Sequence, residues 1–188
     1  MILVFRRTGQ RRYSVEAQRA GFPNLEMNPA PGYDERMPHD LMHLIVEAQL
    51  GLNHGIFGQL AAGGDAGTFH ITMRSGDNSR QVARARKRVS TRGKKLMSRG
   101  RDDCLESERA TFICWQEWLA RSSSAKEKKQ SAAMAEQAAS VRGTASTPAL
   151  DRKKLDEICR HLDQLSARWS SLKVGESMAV GWPDLSLS

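Results

Sequence analysis

The sequence predicts an α+β domain, in which a small antiparallel sheet from an N-terminal hairpin and a C-terminal strand packs against several helices. Three observations carry this prediction. The first residues alternate in the manner of paired strands, and Leu155, Ile158, Leu162, Leu165, Trp169 and Leu172 recur at spacings of three and four. Ser177 to Pro183 then returns to a period of two.

The chain has 188 residues, 39% hydrophobic and 27% charged, which fits one domain (1–188) with a real core. At the N-terminus, Ile2-Leu3-Val4-Phe5 is a short apolar run, Thr8-Gly9 supplies a turn, and Arg12-Tyr13-Ser14-Val15-Glu16 alternates. Turn formers dominate from Gly21 to Pro38, so this stretch reads as an ordered loop or extended segment. Pro38 can open a helix, because a first-turn proline forfeits no intrahelical hydrogen bond. That helix runs from Pro38 to Leu50 and ends at Gly51-Leu52-Asn53. Leu41, Leu44, Ile45 and Ala48 form one apolar face; His39, His43 and Glu47 stack on another, with Asp40 at its edge.

A short helix is expected from Asn53 to Ala62, then a glycine-rich turn at residues 63–67. Further helices are expected over 103–120, which carries Phe112, Ile113, Trp115, Trp118 and Leu119, and over 150–172. The closing strand should pair with the N-terminal hairpin. Residues 122–148 hold almost no large apolar side chain and read as a flexible or weakly packed insert, either a poorly packed helix or a linker.

The net charge of +8 is concentrated: ten basic residues and no acidic ones lie between Arg80 and Arg101, within a basic segment at 79–101. Arg84, Arg86, Lys87, Arg88, Lys94 and Lys95 are its expected contacts with a polyanion, either nucleic acid or an acidic protein. A solvated loop that simply carries charge would look the same. The segment holds no aromatic residue for base stacking, so nucleic acid would be met mainly at phosphate.

No apolar run approaches the roughly 20 residues that span a bilayer, and the apolar N-terminus precedes its arginines, opposite to a secretory signal. A cytoplasmic location is expected. Cys104, Cys114 and Cys159 are odd in number and widely spaced, which argues for reduced thiols.

Two histidines four apart on a helix direct their imidazoles to one side, within reach of one cation. A divalent metal, zinc first, is therefore expected on His39 and His43, with Glu47 as a third ligand. His54 completes the shell if the chain folds back. Asp40 and Glu47 are the candidate catalytic carboxylates, Asp40 orienting a histidine or acting as base on a metal-bound water. A metal-dependent hydrolase or lyase is the reading that follows. The alternative is that His39 and Asp40 cap the helix while His43 is satisfied in the core. No nucleophile elbow, Walker phosphate loop or dinucleotide fingerprint occurs.

Met37-Pro38-His39-Asp40-Leu41-Met42-His43-Leu44-Ile45-Val46-Glu47 resembles the signature helix of an uncharacterised bacterial protein family. Gly55 to Gly64 and the ending Gly181-Trp182-Pro183 fit the same pattern, which implies a fold more than an activity. The His39-Asp40-x-x-His43 core is also similar to the zinc motif of a helical family of ubiquinone-biosynthesis proteins. That family's motif places a Glu about a dozen residues after the second His, where this chain has Gly55. Asp40 stands where metalloproteases of the H-E-x-x-H pattern have Glu; its shorter carboxylate argues against peptidase chemistry.

Overall fold

Most strands lie at the two ends of this chain, and the stretch between them is mainly helical. The computed structural model describes residues 1–72, 78–143 and 150–187. Its elements are β1 (Ile2–Gly9), β2 (Arg12–Gln18), β3 (Leu25–Ala30), α1 (His39–Leu50), α2 (Ile56–Ala61), β4 (His70–Ile71), α3 (Ser79–Arg99), α4 (Arg101–Ala120), α5 (Ala125–Arg142), α6 (Arg152–Ser170) and β5 (Ser177–Gly181). The five strands form one antiparallel sheet in the order β4-β3-β2-β1-β5, so the α+β expectation holds.

The hairpin forms because two alternating segments flank a two-residue turn, with Phe5 opposite Val15 and Leu3 opposite Ala17. On its other side β1 pairs with β5 as expected, Leu3 facing Val180 and Phe5 facing Met178. These side chains are buried and join one core with α1, α4 and α6. Val4 and Glu16, paired on the opposite face, are only half-buried. The sheet is thus covered by helices on one side, the two-layer solution for a sheet with one apolar face. Trp169 of α6 fixes the layers together: its ring meets Tyr13 edge-on at 5.9 Å, and its Nε1–H donates to the Asp34 carbonyl at 3.0 Å.

Three segments that the sequence left open take a definite form. The stretch read as loop or extended chain contains β3, which pairs with β2 through Leu25, Glu26, Met27 and Ala30. The basic segment, read equally well as a loop, is the 21-residue helix α3. Asn78 caps it by accepting from the N–H groups of Arg80 and Gln81, and its Arg, Lys and Gln residues are good helix formers. The insert contains α5, an Ala-rich helix lying on α4 with only Ser131 and Ala138 buried; residues 144–148 of that insert lie outside the described ones.

Cys114 and Cys159 are buried and all three thiols are free. No helix among the described residues is long and apolar enough to cross a membrane.

Candidate functional site

The site begins with α1. Pro38 stands at its N-cap, and Gly51 closes it in the left-handed conformation at φ 67°. Every residue from Asp40 to Glu47 is buried, whereas His39 is exposed and Ala48 to Leu50 are half-buried. One turn separates His39 from His43, and their rings stand 4.5 Å apart, with the two Nε2 atoms at 3.2 Å. The third group is Glu108 of α4, whose Oε2 lies 3.7 Å from His43 Nε2. One ligand atom from each of His39, His43 and Glu108 falls within 4.8 Å of the others. Two nitrogens sharing a tetrahedral zinc at 2.0–2.1 Å would stand about 3.3 Å apart, close to the separation found. These three residues could hold a metal ion.

The expected third ligand, Glu47, sits elsewhere. It has no exposed surface, and both carboxylate oxygens are taken: Oε1 accepts from the Ile56 N–H at 3.1 Å and the Ser107 hydroxyl at 2.9 Å, and Oε2 from the Phe57 N–H at 3.0 Å. Glu47 therefore caps the start of α2, supplying the acceptor that Gly55, at its N-cap, lacks. Gly55 is required by that contact, since a Cβ there would stand 2.5 Å from the Glu47 carboxyl carbon. The position where the zinc-motif resemblance places a ligand is thus the floor of the Glu47 pocket. Burial pushes the Glu47 carboxyl up to about 7, against the hydrogen bonds from Phe57, Ser107 and Ile56, which favour the charged form.

Glu47 nevertheless reaches the histidines through one atom. Ser107 donates its proton to Glu47, so its oxygen can only accept, and it stands 2.8 Å from His43 Nδ1. His43 then carries its proton on Nδ1, with Thr111 Oγ1 as a second neighbour at 3.3 Å. The Nε2 lone pair is left facing His39 and Glu108. A carboxylate that fixes the ligating tautomer from behind is the usual support of a metal-bound imidazole. Burial, aided by the neighbouring His39, holds His43 far below its ordinary value, at about 3, so the ring stays neutral.

Asp40 points away from this cluster. The Tyr13 hydroxyl bonds both Asp40 and the Pro31 carbonyl, and it has one proton for the two. Burial raises the Asp40 carboxyl above its ordinary value, outweighing the Tyr13 hydrogen bond and the His39 charge. A protonated Asp40 donating to Tyr13, which donates to Pro31, satisfies all three groups. Asp40 thus ties α1 to the sheet. His54 also lies outside the cluster: its backbone N–H and its ring both meet Asp103 Oδ2, at 2.8 and 3.4 Å.

A cavity of about 300 Å³ opens beside the histidines. Asp34, His39, His43, Glu108 and Thr111 form its polar part; Tyr33, Met42, Phe112 and Trp115 form an apolar wall.

Glu108, Ser107 and Thr111 were missed in the sequence because they lie more than sixty positions from His43. A signal was present. Ser107 and Thr111 fall on the same helix face as the buried Ala110, Cys114 and Trp118, and small hydroxyls inside an apolar stripe require partners.

The fold and site define an α+β protein with a candidate two-histidine, one-carboxylate centre between two helices. Comparison of the chain with known protein families, with curated proteins and with solved structures finds no match.

Proposed function

We propose that this protein binds one divalent transition metal through His39 Nε2, His43 Nε2 and Glu108 Oε2, and acts on a small substrate held in the adjoining cavity. One observation carries the reading: two imidazole nitrogens 3.2 Å apart, one with its tautomer set by a buried Glu47–Ser107 pair, beside a carboxylate that has no other partner among the described residues. Two histidines and a carboxylate form a borderline ligand set that suits zinc first. Three protein ligands leave coordination open, which is the arrangement of a catalytic rather than a structural centre. Such an ion polarises a carbonyl or phosphoryl group and lowers the pKa of bound water, the chemistry of a hydrolase or lyase.

The residues around it supply the rest. Tyr33, Met42, Phe112 and Trp115 exclude water from one side of the cavity and favour a ligand with an apolar or ring-bearing body. Thr111 offers a hydroxyl at the polar end. Asp40 takes no part, being bound to Tyr13.

Elemental analysis of purified, tag-free protein tests this beside H39A/H43A and E108A variants. The expected result is about one zinc, iron or manganese per chain in the wild type, none in the folded double variant, and a weakened site in E108A. Folded wild-type protein that takes up no zinc, iron or manganese even after incubation with each ion would overturn the reading and return His39 and His43 to structural roles.

A further inference from the structure

Helix α3 is the longest among the described residues and contributes nothing to the histidine site. Its inner face is narrow: Val89 and Gly93 are buried, and Val82, Ala85 and Leu96 half-buried. These recur at spacings of three and four and lie against α2, β4 and α4. The seating is close, since a Cβ on Gly93 would stand 2.0 Å from Asp65 Oδ1. Arg92 adds a clamp, its guanidinium stacking on Phe22 at 5.1 Å.

Apart from the half-buried Ser90, the rest of the helix points outward. All ten basic residues from Arg80 to Arg101 are exposed, and none is paired with a carboxylate among the described residues. Arg84, Arg88, Arg92, Lys95 and Arg99 follow one another by one turn each, a row of five cations about 22 Å long at 1.5 Å per residue. Open clefts flank this row, one bounded by Pro23 and Asn24, the other by Phe22 and Gly63.

We propose that this face binds the phosphate backbone of duplex nucleic acid without reading its sequence. Duplex DNA presents about one negative charge per 1.7 Å of axis, so every cation of the row finds a phosphate partner within its length. Seven of the ten basic residues are arginine, whose planar fork matches phosphate oxygens. Other occupants fit less well. A membrane surface would call for an apolar stripe, and here that stripe is covered by the protein's own body. A protein partner would want an aromatic or apolar anchor amid the charges, and the row contains none. A single strand would want a free aromatic platform, but the nearby Phe22 is covered by Arg19 and Arg92 at 5.7 and 5.1 Å.

The test is fluorescence anisotropy of the full chain with two labelled duplexes of about 20 base pairs and unrelated sequence, over about 50 to 200 mM salt. Expected are affinities for the two duplexes within about threefold, and a log K against log salt slope of about −4 to −5 if five phosphates are neutralised. In the variant R84Q/R88Q/K95Q, whose three side chains have no partner among the described residues, the slope should fall in magnitude by about 3. Wild-type protein alone also decides the matter, through competition by polyglutamate and by a single strand of equal length. Absence of binding at about 50 mM salt would overturn the proposal, as would an unchanged folded variant. Polyglutamate or the single strand competing as well as unlabelled duplex would overturn it too.

Discussion

Replacing Glu47 with Gln separates its two connections, one to the α2 backbone and one to His43. The amide keeps the shape of the carboxyl but has one acceptor atom in place of two. If its NH2 faces Phe57, that N–H loses its acceptor while Ser107 still donates to the amide oxygen; if it faces Ser107, it donates to the serine and the Ile56 N–H loses its acceptor. In the second case Ser107 turns its proton toward His43 Nδ1, and the imidazole proton moves to Nε2, where a metal would bind. Losing such a supporting partner costs roughly 10- to 100-fold in metal affinity. Stability responds differently. The carboxyl sits at about 7 in the folded chain against an ordinary 4.5, a difference of 2.5 pH units, or about 3 kcal/mol. The folded state holds the proton longer, so the contribution of Glu47 to stability is greatest below pH 4.5 and declines as pH rises through about 7. E47Q cannot titrate, so it should lose that decline; near pH 8 relief of the burial cost offsets the lost backbone hydrogen bond, worth about 1–3 kcal/mol. Metal competition against a chromophoric chelator and thermal melts from about pH 5 to 8 read the two effects separately. A folded E47Q whose amide donates to Ser107, as read by NMR, and that still binds zinc within about threefold of wild type would refute the relay.

Asp40 and Gly58 give two further tests. D40N should keep the Tyr13–Pro31 chain, since its amide can donate where the protonated acid does, and should match or exceed wild-type Tm at neutral pH. D40A removes the partner and should lower stability by about 1–3 kcal/mol, or about 2–12 °C in Tm for a chain of this size. If D40N is as damaging as D40A, the acid is held as a charge and the argument fails. At Gly58 a Cβ would stand 2.0 Å from the Asn53 carbonyl oxygen. G58A should therefore cost about 1–3 kcal/mol by denaturant melt, and a variant as stable as wild type would show that this turn gives way freely.

Much of the fold was legible where sequence punctuation and periodicity agreed. Pro38 and Gly51 bracket α1 to within a residue of its bounds, and the three-and-four spacing of α6 marks the face buried from Leu155 to Trp169. Apart from the hydroxyls of Ser107 and Thr111, what escaped lacked a local signal. Pro29 and Pro31 disguised β3, an inner strand whose last residues carry the proline. The cations of α3 hid an apolar stripe of only five positions, two of them Ala and Gly. At the site, periodicity put His39 and His43 together correctly but chose Glu47 from the same helix. Burial overrules that choice: a fully enclosed carboxylate needs hydrogen-bond donors, and the N-terminus of α2 provides them. Glu108 was unreadable because nothing local reveals which turn of α4 crosses α1.

The pairing of β1 with β5 bears on how the chain is made. During synthesis β1 acquires its hairpin partner within 18 residues, but Ile2 waits for Gly181 to emerge before its other edge is bonded. Until then β1 is an unpaired border carrying Leu3 and Phe5, open to strands from other chains. The six intervening helices can form locally in the meantime, and α6 must swing Trp169 onto Tyr13 just before the last strand docks. A nascent chain stalled after α6 should therefore aggregate through its sheet edge, and a supplied peptide matching residues 177–183 should protect it.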